Sequence, residues 1–227
     1  MERTVVVTGA SSGIGRASAE RLVRAGFVVF AGVRKPLDAE RLRRENGDRI
    51  FPLELDVTDG DEIAAAVAVV RARVGGLGLH GLVNNAGIGL TGPLEYMALD
   101  ELRRQFEVNV FGQIAVTQAF LPLLHAARGR IVNMGSVGGH IAIPFGGALS
   151  ASKSAFGLLS DALRLELHSS GIAVSIIEPG AIATPAVDKT LGDPDAAVRA
   201  LPPQGAAQYG EMLREFMRRG AERERHG

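Results

Sequence analysis

The chain has 227 residues, of which 46% are hydrophobic and 22% charged, and 25 Lys and Arg residues balance 25 Asp and Glu residues. This length suits one large α/β domain, and a formal net charge of zero argues against nucleic acid or an anionic membrane surface as the main partner. The absence of cysteine excludes disulfides and thiolate metal sites, and we predict no metal site.

Short apolar runs alternate with helical patterns along the chain. Strands are predicted, in chain order, over residues 3–8, 27–34, 49–57, 78–87, 129–136 and 171–180. Helices are predicted from Ile14 to about Ala25 and over residues 59–74, 98–126, 149–169 and 211–227. Pro52 favours an edge position for the third strand, because proline cannot donate to a ladder.

The alternation predicts an α/β fold with a doubly wound parallel sheet that is covered on both faces. We predict a single domain over residues 1–227, because the sequence shows neither a repeat nor a linker. Ligands of such sheets bind beyond the carboxyl ends of the strands, so the Gly, Asn, Ser and Thr residues there are site candidates. No apolar run reaches the length of a membrane span and the N-terminus lacks a signal-peptide layout, so we expect a cytoplasmic protein.

A glycine-rich turn follows the first strand and opens the first helix. Gly9 and Gly13 allow a tight turn and close approach of the backbone to a diphosphate, and Gly15 allows close packing of helix on strand. The N-terminus of the helix offers free N–H groups and the positive end of the helix dipole. A glycine turn without a ligand would look similar, but the strand–turn–helix context favours a phosphate site.

The turn reads T-G-x-x-x-G-I-G over residues 8–15, and it resembles the cofactor turn of the short-chain dehydrogenase/reductase superfamily. Further segments resemble motifs of that family in the same order; they are Asp56-Val57, Asn84-Asn85-Ala86-Gly87, Asn109, Ser136, Lys153 and the P-G-x-I-x-T segment at 179–184. The overall pattern is most similar to the hydroxysteroid and retinol dehydrogenase branch. The resemblance implies a Rossmann fold with strand order 3-2-1-4-5-6.

The resemblance also implies a cofactor site and a catalytic site. The cofactor-binding residues that it implies are Gly9, Ser11, Ser12, Gly13, Ile14, Gly15, Arg34, Asp56, Val57, Asn84, Ala86, Gly87, Lys153, Pro179, Gly180, Ile182 and Thr184. Ser136 would polarise the substrate oxygen, and Asn109 would hold a water of a proton relay. Lys153 would hold the nicotinamide ribose and lower the pKa of a neighbouring phenol.

Leu149 stands where the family motif Y-x-x-x-K places that phenol. Leucine has no donor or acceptor, and loss of a general acid typically costs ~10²–10⁴ in rate. Obvious substitutes are missing, because Ser150 and Ser152 are expected on other faces of the helix and a loop histidine such as His140 is usually solvated. Two explanations remain open: a disabled variant of an active enzyme, which we favour, or a cofactor-binding protein without efficient turnover.

The end of the second strand favours NADP(H), although NAD(H) remains possible. A free ribose is usually held by a carboxylate there, whereas the sequence has Arg34 and Lys35. Arg34 suits a forked contact with phosphate oxygens, and Ser11 and Ser12 can donate from the adjacent turn. The alternative is that Arg34 and Lys35 only solvate a strand end.

The substrate is expected to be an apolar alcohol or ketone. The loop 138–148 is apolar, and the resemblance implies that residues 185–215 cover the substrate. The apolar residues of that covering segment are Val187, Leu191, Val198, Leu201 and Met212. The alternative is that these side chains simply pack together. A nucleotide-sugar epimerase is a weaker possibility, because the chain lacks the length for a substrate domain.

The resemblance implies a homodimer or homotetramer. In the family the helices at 98–126 and 149–169 pair with their symmetry mates. The last helix and seventh strand of the family are not in this chain, so we expect the sixth strand to be an exposed edge.

Overall fold

Six parallel strands form one sheet in the order β3-β2-β1-β4-β5-β6 in the computed structural model, which describes residues 2–184 and 190–225, with side chains up to residue 222. The strands are β1 Thr4–Val7, β2 Val28–Val33, β3 Ile50–Glu54, β4 Gly81–Asn84, β5 Arg130–Met134 and β6 Ala173–Ile177. The helices are α1 Gly13–Arg24, α2 Pro36–Asn46, α3 Gly60–Val74, α4 Leu99–Phe106, α5 Gly112–Ala127, α6 Gly147–Glu166, α7 Pro194–Arg199 and α8 Pro203–Arg225. The α/β class and the predicted strand order are confirmed.

Helices cover both faces of the sheet. Every residue of β1 and β2 is buried, as continuous apolar strands of a parallel sheet require. On β1, Val6 belongs to the core cluster that includes Phe120 of α5, whereas Val5 and Val7 belong to the cluster that includes Leu42 of α2. The side chains of the strand therefore alternate between two layers of helices.

The edges of the sheet agree with the prediction from Pro52. Strand β3, which carries Pro52, lies at one edge, and β6 lies at the other edge of the sheet in the part of the chain that the structure describes. Helix α2 was absent from the sequence-based prediction. Pro36 occupies its first turn and follows the extended Lys35, which is a common way to begin a helix.

The helix predicted over 98–126 is interrupted by a π-helical turn at Glu107–Phe111, between α4 and α5. The N–H of Gly112 donates to the carbonyl of Glu107, five residues earlier. Such single π turns occur frequently at functional sites. The turn contains Asn109, which is one of the predicted catalytic residues.

The segment Leu99–Ala127 is the one helical stretch of the described residues with the length and apolarity of a membrane span. An 18-residue window within it is long and apolar enough to cross a membrane by length and composition alone, so the prediction that no run has this length and apolarity is wrong. The window is 44% buried, and Val116, Phe120 and Leu124 pack in the core beside the sheet. Because a core helix can have the same length and apolarity, length and composition give only weak support for a span.

Candidate functional site

A cleft of about 490 Å³ opens at the carboxyl ends of the strands, which is within the range of small-molecule sites. Fifteen of the sequence-predicted residues line it: Gly9, Ser11, Ser12, Gly13, Ile14, Gly15, Arg34, Asp56, Val57, Ala86, Gly87, Leu149, Lys153, Pro179 and Thr184. The cleft therefore joins the glycine turn at one end to Leu149 and Lys153 at the other.

Hydrogen bonds between the ends of β1 and β4 fix the glycine turn. The hydroxyl of Thr8 accepts from the backbone N–H groups of Asn85 and Ala86, at 2.9 and 3.0 Å. The Asn85 side chain donates to the carbonyls of Thr8 and Gly9, at 3.0 and 3.1 Å. Gly9 has a φ of +63°, and a Cβ there would lie 2.8 Å from the Cα of Ala86, so only glycine fits.

The turn and the start of α1 fit the diphosphate of a dinucleotide. The side chain of Ser12, the N-cap residue, makes no capping hydrogen bond in the described part of the chain, so the first N–H groups of the helix remain available. Gly9 and Gly13 present backbone rather than side chains to the cleft. A helix N-terminus with free N–H groups favours an anion electrostatically.

Arg34 and Asp56 lie together where β2 and β3 open into the cleft. An Arg34 Nη1 atom is 3.7 Å from a carboxylate oxygen of Asp56, and 67% of the Arg34 side chain is exposed. Burial alone would raise the pKa of Asp56, but two hydrogen bonds from Thr58 and the charge of Arg34 outweigh it and lower that pKa. Arg41, which sequence reasoning missed, donates to the Ser11 carbonyl at 2.7 Å and to Asp38 at 2.8 Å, so it supports the turn as half of an ion pair.

Asn84 does not line the cleft, contrary to its predicted place among the cofactor-binding residues. Its side chain is 1% exposed and donates to Thr117 at 2.8 Å and to Asn133 at 2.9 Å. Asn133 in turn donates to Ser160 of α6 at 2.8 Å. This buried ladder joins β4 and β5 to α5 and α6, so Asn84 stabilises the sheet, and Asn85 is the residue of the pair that borders the cleft.

Asn109 also lies behind the cleft wall rather than on it. Its Oδ1 accepts from the N–H of Ile88 at 2.9 Å, and its Nδ2 donates to the Ile88 carbonyl at 2.9 Å and to Ser152 at 3.1 Å. One turn earlier, fully buried Gln105 donates to the Ile88 carbonyl at 2.6 Å and accepts from the N–H of Leu90 at 2.9 Å. We call Gln105 and Asn109 the amide clamp, because both hold residues 88–90, which line the cleft.

Lys153 reaches the cleft from α6. Its Nζ donates to the Met134 carbonyl at the end of β5, at 2.6 Å. Burial lowers the pKa of Lys153 to about 8, because a low-dielectric surrounding disfavours the ammonium form. Leu149, one helical turn earlier, lines the same cleft and is half-buried.

Three other predicted residues do not line the cleft. The hydroxyl of Ser136 accepts from the N–H of Gly138 at 3.1 Å and caps the 3₁₀ turn Val137–His140. Gly180 is exposed, and Ile182 is 43% exposed beyond the end of β6. These positions follow β5 and β6, on the side of the cleft where Leu149 and Lys153 lie, but they do not form its wall in this structure.

None of the weighed substitutes for the missing phenol lines the cleft. His140 is exposed and lies 2.6 Å from a carboxylate oxygen of Glu178. Tyr209, a further phenol in the predicted covering segment, donates its hydroxyl to Glu95 at 2.7 Å and does not line the cleft either. Ser152 is buried and donates to the Leu149 carbonyl, which confirms that it points away from the cleft.

The covering segment contributes to the cleft at Thr190. Val198 packs in a separate buried cluster with Leu213 and Met217 of α8, and Leu201 packs against that cluster. Two of the side chains predicted to contact the substrate therefore pack inside the protein instead, which was the alternative that the sequence left open. Val187 lies outside the described residues.

Asn85 of the predicted Asn84-Asn85-Ala86-Gly87 motif also lines the cleft. Sequence reasoning missed a further set of lining residues, namely Gly32, Val33, Leu55, Ile88, Gly89, Leu90, Arg104, Val108, Met134, Gly135 and Thr190. Most of them end a strand or follow one. Their position at the carboxyl edge of the sheet was the available signal, because ligands bind there in doubly wound sheets.

Comparisons with known proteins agree with this geometry. A family model described as short chain dehydrogenase matches residues 3–194. Retinol dehydrogenase 5 of Mus musculus is 42% identical over 214 residues, which is 92% of this chain and 66% of that relative. The chain thus spans just under two thirds of the length of this curated relative.

Two solved structures with bound cofactor are also similar. A short chain dehydrogenase/reductase from Burkholderia phymatum in complex with NAD has a TM-score of 0.80 at 27% identity, over 96% of this chain and 79% of its own. A short chain dehydrogenase from Burkholderia cenocepacia in complex with NADP has a TM-score of 0.74 at 29% identity, over 96% of this chain and 84% of its own. The site geometry and the family match lead to one conclusion: the chain belongs to the short-chain dehydrogenase family.

Proposed function

We propose that this chain binds NADP(H) and interconverts an apolar secondary alcohol and ketone, or a primary alcohol and aldehyde, with proton transfer weakened by Leu149. The observation that carries the proposal is the single cleft that joins the glycine turn to Lys153. When bound, the nicotinamide supplies or accepts two electrons and a hydrogen as hydride.

The residues of the cleft divide the work of binding. The turn at Gly9–Gly15 would hold the diphosphate, and Asp56 and Val57 would border the adenine. Lys153 would hold the nicotinamide ribose, with one of its N–H bonds already directed at Met134. The amide clamp fixes the wall at residues 88–90 through backbone bonds, so that wall keeps its shape without a ligand.

The apolar side chains of the cleft support an apolar substrate. Ile88, Leu90, Val108 and Leu149 are among its lining residues, and Asp56 is the only carboxylate in the described lining. A similar relative carries the name retinol dehydrogenase 5, and retinol is an apolar alcohol. An apolar wall favours such a substrate because the substrate loses contact with water on binding.

The preference for NADP(H) over NAD(H) is supported by Arg34. Its side chain is exposed at the cleft, whereas the nearby Arg41 is paired with Asp38. A guanidinium suits the oxygens of a 2′-phosphate, whereas a free ribose is better held by a carboxylate. The 3.7 Å contact with Asp56 is weak enough for Arg34 to exchange partners.

A second candidate is a cofactor-binding protein without turnover, such as a redox sensor or a partner subunit. Leu149 favours it, because a leucine at the wall of the cleft cannot move a proton. Both candidates require cofactor binding. They differ only in the rate of chemistry.

The change Leu149→Tyr separates the two. We expect it to raise the rate of reduction of apolar ketones and aldehydes with NADPH by ~10²–10⁴, because the phenol would be a general acid beside the Lys153 charge. Leu149→Phe is the matched control, since it adds the same ring without the hydroxyl. A panel of apolar carbonyl compounds on which Leu149→Tyr is no faster than Leu149→Phe would remove the support for the enzyme.

We also propose a homodimer or homotetramer in the cytoplasm. Phe111, Leu158 and Leu165 are 58%, 74% and 77% exposed on the helices that the family resemblance assigns to the interface. Apolar side chains of this size usually become buried when a partner is present. A monomeric molar mass by light scattering at micromolar concentration would contradict the assembly.

A further inference from the structure

We propose that Lys153 itself donates the proton to the substrate oxygen in this chain, in addition to holding the cofactor. The inference rests on the proposed function, since it assigns the acid of that same reaction. It makes the wild-type chain a slow enzyme rather than an inert one.

Few groups of the cleft can carry a proton. The titratable side chains among its described lining residues are Arg34, Asp56, Arg104 and Lys153. Arg34 and Asp56 contact each other at the opposite end, where β2 and β3 open into the cleft. Arg104 pairs with Glu101 at 3.0 Å on the exposed side of α4. Lys153 alone shares the α6 face with Leu149, four residues away.

The ammonium of Lys153 has donors to spare. It carries three N–H bonds, and the Met134 carbonyl takes one of them. A second can reach the ribose of the cofactor, and the third is then available to an oxygen in the space beside Leu149. Since leucine offers no competing donor or acceptor, a substrate oxygen at that place would find Lys153 as its hydrogen-bond donor.

No carboxylate of the described residues pairs with Lys153 to hold its proton. The charged groups on the elements that pack around it face other partners or solvent. Arg103 and Arg104 of α4 pair with Asp100 and Glu101, His140 after β5 pairs with Glu178 after β6, and Glu107 of the π turn is exposed. Burial lowers the pKa of Lys153 to about 8, which is well below the ordinary value of a lysine. An acid is most effective when its pKa lies near the working pH, so this ammonium is a better acid than an exposed lysine.

The step balances with NADPH as the reductant. The carbonyl carbon gains a C–H bond with the two electrons of the hydride, and the Nζ–H bond of Lys153 breaks as an O–H bond forms on the carbonyl oxygen. The products are the alcohol, the oxidised cofactor and a neutral Lys153 amine. The amine regains its proton from solvent through the open mouth of the cleft.

The first test is a titration of Lys153 in the cofactor-free protein. The ¹³C chemical shift of its Cε, measured in a lysine-labelled chain, reports its protonation. Its resonance is assigned by its loss in Lys153→Arg. We expect a midpoint about pH 8, because the folded pKa is lowered. The kcat/KM for reduction of an apolar ketone with NADPH should be constant below that midpoint and fall tenfold per pH unit above it, as the ammonium loses its proton.

Lys153→Arg provides the matched variant. Arginine keeps a cation for the cofactor but is too weak an acid to release a proton near neutral pH. We expect NADPH affinity within about threefold of the wild type, a rate at least ~100-fold lower, and no alkaline fall in the pH profile. In Leu149→Tyr, the same Lys153→Arg change should leave most of the rate, because the phenol then donates the proton.

Three results would overturn the inference. They are a Lys153 midpoint near pH 10, wild-type turnover that Lys153→Arg leaves unchanged, and a wild-type chain that is inert towards every carbonyl compound while Leu149→Tyr is active. In the last case the proposed function still holds. If Leu149→Tyr is inert as well, although both chains bind NADPH, the proposed function and the inference fail together.

Discussion

The two ends of the cleft are built in different ways. At the phosphate end, which is the end with the glycine turn, backbone atoms form the surface. Gly9 lies against Ala86, and Thr8 and Asn85 hydrogen-bond the turn to the end of β4. At the other end, single side chains such as Leu149 and Lys153 line the cleft, and Leu149 has neither a hydrogen-bond donor nor an acceptor. The glycine turn thus has the features that a diphosphate requires, whereas the end at Leu149 lacks the phenol that the proposed reaction would use.

The difference shows how binding and turnover can separate within one fold. The glycine turn is part of the packing of α1 against β1 and β4, so its loss also costs stability. Leu149 sits at the wall of a cleft, where an exchange of side chains disturbs little packing. A chain of this family can therefore keep its cofactor site while its acid is replaced.

The largest effect should come from the phosphate end. A Cβ on Gly15 would overlap the carbonyl of Gly9 and the side-chain amide of Asn85, which two hydrogen bonds hold in place. We expect Gly15→Ala to lower the free energy of unfolding by about 3 kcal/mol, the upper end of overpacking costs, and to weaken NADPH binding roughly 100-fold. Denaturant unfolding and fluorescence titration measure the two quantities.

Gly60→Ala is the control for that change. Gly60 begins α3, and no atom lies within 4 Å of a Cβ placed there. Alanine favours a helix by up to about 1 kcal/mol over glycine, so this variant should be as stable as the wild type or slightly more so. Equal effects of the two substitutions would mean that the turn is not held as tightly as its contacts indicate.

Features set by short spacing could be predicted from the sequence. The glycine turn and the six strands follow from the position of apolar runs and of glycines, which local sterics dictate. The order of the strands, in contrast, was implied by the resemblance to the family. The pair Asn84-Asn85 shows the limit of prediction from short spacing. Both residues match one motif, but Asn84 is the last residue of β4 and joins a buried ladder, whereas Asn85 follows the strand and borders the cleft. The residue at which β4 ends therefore decides that the Asn84 amide is buried and the Asn85 amide borders the cleft.

Long-range contacts could not be predicted. The π turn at Glu107–Phe111 and the amide clamp depend on α4 meeting the loop after β4 in space. Gln105 carries no motif, since a buried glutamine on an otherwise polar helix looks like a surface residue in the sequence. Its role becomes visible only when its two partners, Ile88 and Leu90, are beside it.

A smaller effect is expected at the wall between the two ends. Gln105→Leu removes the donor to the Ile88 carbonyl and leaves the N–H of Leu90 without its acceptor. A buried polar group left unsatisfied costs about 1–3 kcal/mol, so we expect a loss of about 2 kcal/mol in the free energy of unfolding. The loop 88–90 should also exchange its amide hydrogens faster, which hydrogen-exchange mass spectrometry measures.

Gln118→Leu is the matched control, because Gln118 is exposed on α5 of the same helical segment. It should change the free energy of unfolding by no more than about 0.5 kcal/mol. An equally small change in the free energy of unfolding for Gln105→Leu, with no faster amide exchange in residues 88–90, would mean that Asn109 alone holds this wall.

The smallest effect should come from cofactor choice at the phosphate end. Arg34 is largely exposed, so its contact with a 2′-phosphate is partly screened by water. We expect Arg34→Ala to weaken NADPH binding roughly tenfold, about 1.4 kcal/mol, and to leave NADH binding within about twofold. Arg103→Ala removes an equally exposed arginine that pairs with Asp100 outside the cleft, and it should change neither affinity. Equal NADPH affinity of Arg34→Ala and wild type would leave the 2′-phosphate without its proposed partner and favour NAD(H).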